Sequence, residues 1–75
     1  MTARMSVPEM LRTVRQAKGL TLRELGQLSG VSFGTIGKIE QGYVRHPSFE
    51  NVVAIADALQ IRLERLAACA RAGAR

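Results

Sequence analysis

The sequence has few of the residues on which catalysis, metal binding and cross-linking depend. It contains one cysteine, one histidine and six acidic residues among 75. The single Cys69 allows neither an internal disulfide nor a cysteine-based zinc site, which favours a reducing compartment. No paired carboxylates, catalytic triad or metal-ligand cluster falls on a common predicted face, so an enzyme is the least favoured class. The sequence therefore predicts no catalytic residue, no metal and no cofactor.

Long apolar runs and strand patterns are also missing. No segment approaches the roughly 20 apolar residues that a membrane-spanning helix needs. The N-terminus carries Arg4 but no apolar run of signal-peptide length, so we expect a soluble, intracellular chain. No alternation of β-branched and polar residues marks a strand, which predicts an all-α domain of five short helices.

A basic charge balance is the clearest property of the composition. The formal net charge is +5 and the isoelectric point is about 10.7. Such a surface attracts polyanions, of which nucleic acid is the commonest, although small basic domains also bind membranes or acidic proteins. The length allows one domain with a small core, and we expect it to span residues 6–70, between a mobile N-terminus at 1–5 and a frayed tail at 71–75.

The chain is organised around residues 21–42, which predict two short helices joined by a tight turn. Thr21 and Glu24 form a capping box at the start of the first helix, and Gly30 supplies its left-handed end. Gly26 has no side chain and lies where the second helix could cross the first. The apolar residues of the first helix recur at helical spacing: Leu22, Leu25 and Leu28.

The second of these helices begins after Ser32, whose side chain is a good N-cap, and stops at Gly42. Its spacing buries Ile36 and Ile39. Two short helices of this kind, joined by so short a turn, are a helix-turn-helix pattern. The outer face of the second helix then consists of Phe33, Gly34, Gly37, Lys38 and Gln41.

Three further helices surround this pair. The first begins at a capping box of Ser6 and Glu9 and ends at Gly19, with a core face of Val7, Met10, Leu11, Val14 and Ala17. After a surface loop at 43–47, Ser48 caps a helix with an apolar stripe of Phe49, Val52, Ile55, Ala56 and Leu59. A fifth helix carries Leu63, Leu66, Ala67 and Ala70.

These residues resemble the Cro/cI, or XRE, helix-turn-helix family of phage-repressor-like DNA-binding domains. The resemblance extends from about Met10 to about Leu66 and implies a five-helix bundle of the phage-repressor type. The residues that carry it are Leu11-Arg12-x-x-Arg15-x-x-Lys18-Gly19-Leu20-Thr21, Glu24-Leu25-Gly26, Gly30-Val31-Ser32, Thr35-Ile36, Ile39-Glu40-x-Gly42, Pro47-Ser48-Phe49-Glu50 and Ala54-Ile55-Ala56-x-Ala58-Leu59.

The resemblance implies that the helix after Ser32 is a recognition helix in the major groove of DNA. It places base-contacting side chains at Phe33, Gly34, Gly37 and Lys38. Lys38 can donate to guanine O6 and N7, whereas Phe33 offers only apolar contact, such as that with a thymine methyl. The two glycines either allow close backbone approach or indicate weak sequence recognition, and the sequence leaves both interpretations open.

The resemblance also implies a set of phosphate contacts. Leu22 replaces a phosphate-binding glutamine of the family, and its neighbour Arg23 is a substitute unless it is simply solvated. Independently of the resemblance, Arg4 could add one phosphate contact as an N-terminal arm, although a mobile end is the favoured interpretation. Arg45 and His46 lie in the family's phosphate-contacting loop, where the competing interpretation is a solvated surface turn. The full predicted phosphate set is Arg23, Thr35, Tyr43, Arg45, His46 and Ser48.

Arg15 and Glu40 match a pair that the family uses as a partly buried ion pair between the first helix and the recognition helix. The resemblance therefore implies a structural role for both residues. Gln60 replaces a helix-ending glycine and Arg62 a capping serine, so we expect strain or a shift where the fifth helix begins.

The fifth helix carries more apolar surface than a small core needs. It either closes the core of the monomer or pairs with a second copy, and we expect a homodimer on two half-sites about 34 Å apart. The interface predicted from the family is Leu63, Leu66, Ala67 and Ala70.

The leading hypothesis for function is a cytoplasmic, nucleoid-associated transcriptional regulator of bacterial or phage type. It would bind double-stranded DNA in a sequence-specific manner and act as a repressor or autoregulator by occupying a promoter. The alternative is a protein-interaction module, antitoxin-like or polymerase-contacting, in which Phe33 and the glycine face bind a protein partner.

Overall fold

The computed structural model describes residues 5–72, which form five α-helices and, within that range, no strand. The all-α prediction is therefore confirmed. Most of the predicted mobile ends, including Arg4, lies outside the described residues; Met5 is half-buried against the core, and Arg71 falls within the last helix. The helices are α1 (Val7–Ala17), α2 (Leu22–Ser29), α3 (Phe33–Glu40), α4 (Phe49–Leu59) and α5 (Leu63–Ala72).

The predicted caps fix where the first four helices begin. Thr21 Oγ1 accepts a hydrogen bond from Glu24 N at 3.0 Å, and Glu24 Oε1 accepts one from Thr21 N at 2.9 Å, which completes a capping box. Ser6 and Glu9 form the same box before α1. The hydroxyls of Ser32 and Ser48 each accept one backbone N–H, at the starts of α3 and α4. Local sequence thus determines these four helix starts.

Two left-handed residues mark the ends of α2 and α4. Gly30 has φ +78°, a conformation that costs glycine little because it has no Cβ. Gln60 has φ +61°, and it is the one non-glycine with positive φ among the described residues. Ile61 N donates to Ala56 O across this position at 2.8 Å. The strain expected where Gln60 replaces a glycine is therefore present, and it turns the chain from α4 into α5.

The core lies where α1 packs on α3, α4 and α5, and where α2 packs on α3 and α4. α3, the centre of the helix-turn-helix, contributes Ile36 and Ile39 to it, as predicted. The buried apolar residues are Met10, Leu11, Leu25, Val31, Ile36, Ile39, Ile55, Ala56, Leu59, Ile61, Leu66 and Cys69.

Several core predictions were wrong at the edges of the helices. Leu28 is 62% exposed because leucines three positions apart drift by about 60° around a helix, and Leu25 occupies the centre of the buried face. Phe49 is 74% exposed, since it is the first residue of α4 and only the C-terminal half of that helix is buried. Ala17, at the last position of α1, is also exposed. Ile61, which the periodicity assigned to a break in the pattern, is buried.

Candidate nucleic-acid interface

The turn between α2 and α3 brings the two helices into close contact at Gly26. A Cβ atom added there would lie 3.1 Å from Val31 O and 3.3 Å from Phe33 N. Ser29 Oγ accepts a hydrogen bond from Val31 N at 3.1 Å and so holds the turn from the α2 side. The predicted close approach at Gly26 is confirmed. It fixes the position of α3 against α2.

α3 exposes a ridge of three residues spaced three and four apart: Gly34, Lys38 and Gln41. A Cβ at Gly34 would meet nothing closer than Ser32 Oγ at 3.9 Å, so the surface there is open. Gly37 differs from the prediction, because it is half-buried and faces α2, where its Cβ would lie 3.5 Å from Leu22 Cδ1. The outward ridge is therefore narrower than the helical spacing indicated.

Phe33 lies at the α2 edge of this ridge and is paired with a cation. The guanidinium carbon of Arg23 lies 4.3 Å from the centroid of the Phe33 ring, and the ring remains 43% exposed. Such a geometry is a cation–π contact. The sequence carries no signal of this contact, because Arg23 and Phe33 are ten positions apart and only the crossing of α2 and α3 brings them together.

The other predicted phosphate-binding residues lie at or after the ends of α3. Thr35 is half-buried, and its hydroxyl accepts a hydrogen bond from Ser32 Oγ at 3.0 Å. Tyr43, Arg45 and His46 are all exposed in the loop between α3 and α4. Ser48 follows them and caps α4 by accepting from Asn51 N at 3.1 Å. The loop thus offers a cation and two further donors beside α3.

Arg15 and Glu40 connect α1 to the last turn of α3. Arg15 Nε donates to Glu40 Oε2 at 2.7 Å, and Arg15 Nη2 donates to Glu40 Oε1 at 2.9 Å. Arg15 Nη1 also donates to Leu20 O at 2.8 Å. The side chains are only 12% and 4% exposed. The hydrogen bonds from Arg15 to Glu40 raise the pKa of Arg15, the carboxylate charge acts in the same direction, and burial acts against both. The guanidinium is therefore protonated throughout the ordinary pH range.

An apolar groove of about 400 Å³ lies on α5, beside the start of α1 and the loop before α4. Of the predicted dimer residues, Leu66 is buried in the monomer core, whereas Leu63 is 45% exposed and Ala67 and Ala70 are exposed. Sequence analysis did not anticipate that the exposed Phe49 borders the same groove. The lining residues are Val7, Pro8, Ile39, Val44, Arg45, Pro47, Phe49, Val52, Leu63, Leu66, Ala67 and Ala70.

Within residues 5–72, no group of three or more histidine, cysteine or carboxylate side chains is arranged to hold a metal ion. None of the described helices combines the length and the apolar character that crossing a membrane requires.

One family model and two curated relatives described below match this chain. A family model described as helix-turn-helix matches residues 11–66, which is most of the chain. The transcriptional regulator ClgR of Mycobacterium tuberculosis (strain H37Rv) is 42% identical over 57 residues, which are 76% of this chain and 50% of that protein. The uncharacterized HTH-type transcriptional regulator RghRB of Bacillus subtilis (strain 168) is 37% identical over 62 residues, 83% of this chain and 45% of that protein.

The matched segments are a larger share of this chain than of its relatives. This chain spans about half the length of the curated relatives it matches. No solved structure matches it significantly. The match to residues 11–66 includes the whole of α2, the turn and α3, where the geometry above is concentrated.

Proposed function

The chain belongs to the XRE/Cro–cI type of helix-turn-helix family, and from this premise we propose that it is a transcriptional regulator that binds duplex DNA with α3 in the major groove. The observation that carries the proposal is the exposed ridge of α3, which the crossing at Gly26 holds outward. The two relatives described above are both named as transcriptional regulators.

The charges around α3 support a duplex as the ligand. Lys38 lies on the ridge itself, Arg23 contacts Phe33 at the edge of the ridge, and Arg45 follows in the next loop. This positive charge attracts the DNA backbone, and each phosphate that a cation such as Arg45 neutralises releases counterions, which gives affinity without sequence preference. Contacts from the ridge to base edges add the preference. A regulator of this kind acts in the cytoplasm, at the nucleoid.

Fluorescence anisotropy with a labelled duplex tests this proposal. We expect the logarithm of the association constant to fall with the logarithm of salt concentration, with a slope of about −0.9 for each neutralised phosphate. Arg45→Ala should reduce the magnitude of that slope by about one phosphate. Arg62→Ala, an equally exposed arginine between α4 and α5, is the matched control and should leave the slope unchanged. Salt-independent binding would contradict the proposal.

We further propose that the chain acts as a homodimer through the α5 groove. The longest dimension of the domain is 32 Å, so one copy covers less than one turn of DNA and reads few base pairs. Two copies related by a two-fold axis place two recognition helices on successive half-sites.

Charge along α5 supports a second copy as the occupant of the groove. Glu64 and Arg71 are exposed and seven residues apart. Both lie on the same side of the apolar face of α5, which consists of Leu63, Ala67 and Ala70. When two such helices pack antiparallel about an axis near Ala67, Glu64 of one copy lies opposite Arg71 of the other. Flanking opposite charges of this kind set the orientation of paired helices.

Analytical ultracentrifugation at micromolar concentration tests the dimer. We expect Ala67→Glu to give a monomer, because it places a charge in the apolar groove. Ala68→Glu is the matched control, since Ala68 is exposed on the same helix but does not line the groove. A wild-type chain whose mass stays that of a monomer at every concentration would contradict this part of the proposal.

A further inference from the structure

The stacked pair of Arg23 and Phe33 has a geometry suited to recognising a particular chemical feature of DNA. The guanidinium carbon lies 4.3 Å from the ring centroid, and within residues 5–72 no carboxylate lies within 4 Å of Arg23. The ring therefore orients this guanidinium, and no ion pair among the described residues competes for it. Phe33 is the first residue of α3, the part of a recognition helix that lies nearest the bases.

Rigid backbone supports the pair. The turn from Gly30 to Ser32 begins with a left-handed glycine and is held by the hydrogen bond from Val31 N to Ser29 Oγ. At Gly26, in the middle of α2, an added Cβ would lie 3.3 Å from Phe33 N, so α2 packs closely against the start of α3. Because both side chains project from supported helix starts, their stacking does not depend on a mobile loop.

The two side chains differ in what they can contact on a base pair. An aromatic ring makes apolar contact with the C5 methyl of thymine, which cytosine lacks. A guanidinium donates two hydrogen bonds to guanine O6 and N7. The guanidinium carbon lies over the ring, and a guanidinium parallel to the ring keeps its N–H donors available, because those donors lie in its plane.

Resting on the proposed function, we propose that Arg23 and Phe33 act as one recognition unit for a C5-methylated pyrimidine beside a guanine. Phe33 contacts the methyl group and Arg23 donates to the guanine. A guanidinium and a ring 4.3 Å apart are close enough to reach two adjacent base pairs, whose rise is about 3.4 Å. This assigns Arg23 to a base in place of the phosphate contact that the family resemblance implies.

Modified duplexes test this inference, starting from the sequence that the purified chain selects from a random pool. Replacing thymine by deoxyuridine at each position in turn removes one methyl group and keeps every hydrogen-bonding atom. We expect a loss of about fourfold in affinity at one thymine of each half-site, the value of one buried methyl group. When cytosine replaces that thymine, 5-methylcytosine should bind about fourfold more tightly than cytosine. The other thymines of the site are internal controls.

Variants separate the two halves of the unit. Arg23→Lys keeps the charge but loses the planar fork, so preference for the neighbouring guanine should fall by about 5- to 150-fold while the uracil penalty remains. Phe33→Leu keeps an apolar group but removes the ring that holds Arg23, so it too should weaken the guanine preference. Phe33→Ala should abolish the uracil penalty. Arg62→Lys is the control, and circular dichroism verifies folding.

The possible results distinguish this inference from the proposed function. A selected site whose uracil-substituted duplexes all bind as tightly as the thymine duplex would overturn the inference alone. Unchanged guanine preference in Phe33→Leu would also overturn it, because the ring would then not orient Arg23. Failure to select any duplex sequence would instead overturn the proposed function, and the inference with it.

Discussion

Removing the charge of Glu40 tests how firmly α3 is held in the domain. Glu40→Gln keeps the shape of the side chain but leaves the guanidinium of Arg15 facing a neutral amide. Arg15 is only 12% exposed and makes two hydrogen bonds to Glu40 and one to Leu20 O. The variant therefore strands a largely buried charge next to a partner that no longer neutralises it.

The magnitude follows from this burial. Removing one partner of a buried ion pair costs about 3–5 kcal/mol, whereas replacing both partners by apolar groups is often nearly neutral. A domain of 75 residues has a free energy of unfolding of about 4–11 kcal/mol. Glu40→Gln should therefore remove a large part of the stability, and the double variant Arg15→Met with Glu40→Leu should regain most of it. Arg15→Lys, which keeps the charge but loses the fork, should cost about 1–2 kcal/mol.

Urea denaturation followed by circular dichroism measures these differences. With a slope near 1 kcal/mol per molar urea, Glu40→Gln should lower the midpoint by about 3 M or leave the chain unfolded without denaturant. Asp57→Asn, at an exposed carboxylate on α4, is the matched control and should stay within about 0.5 kcal/mol of the wild type. Costs below about 1 kcal/mol for both Glu40→Gln and Arg15→Met would refute the reasoning, because the pair would then not hold α3.

Three further predictions concern single positions. Gln60→Gly should raise the melting temperature by about 4–8 °C, because a left-handed non-glycine residue costs about 1 kcal/mol. Calorimetry measures this shift. An unchanged or lower melting temperature would contradict the assignment of strain to Gln60. Gly34→Ala should stabilise the chain by about 1 kcal/mol in urea, since its Cβ meets open space. If the more stable variant also binds the selected duplex more weakly, the glycine serves close approach to DNA; unchanged affinity would exclude that role. Gly26→Val should lower the free energy of unfolding by about 1–3 kcal/mol through overpacking against the backbone of the turn, and a neutral effect would contradict the close approach.

Features encoded by neighbouring residues could be predicted from the sequence. The capping boxes at Ser6 and Thr21 involve residues three apart, and the stop at Gly30 is a property of one residue, so all three were recognisable. Burial at helix edges could not be predicted, because it depends on which neighbouring helix covers each residue. Leu28 and Phe49 satisfy the periodicity, yet no other helix packs over them sufficiently to bury them.

Some features of the candidate site could likewise be predicted from the sequence, and others could not. The position of α3 follows from the family pattern, and so does the pairing of Arg15 with Glu40, two residues 25 positions apart whose spacing carries no signal of contact. The stack of Arg23 on Phe33 and the burial of Gly37 against Leu22 arise from the angle at which α2 crosses α3. Tertiary geometry sets that angle, and no local pattern records it.

Site selection from a random duplex pool, performed with the wild type, Lys38→Ala and Arg62→Ala, tests most directly whether α3 recognises DNA bases. Lys38 is the one charged side chain on the exposed ridge of α3. We expect the wild type and Arg62→Ala to enrich the same sequence. We expect Lys38→Ala to relax the preference at one guanine position by about 1–3 kcal/mol. Enrichment of no sequence by the wild type, or a uniform loss of affinity in Lys38→Ala with every base preference intact, would contradict base recognition by α3.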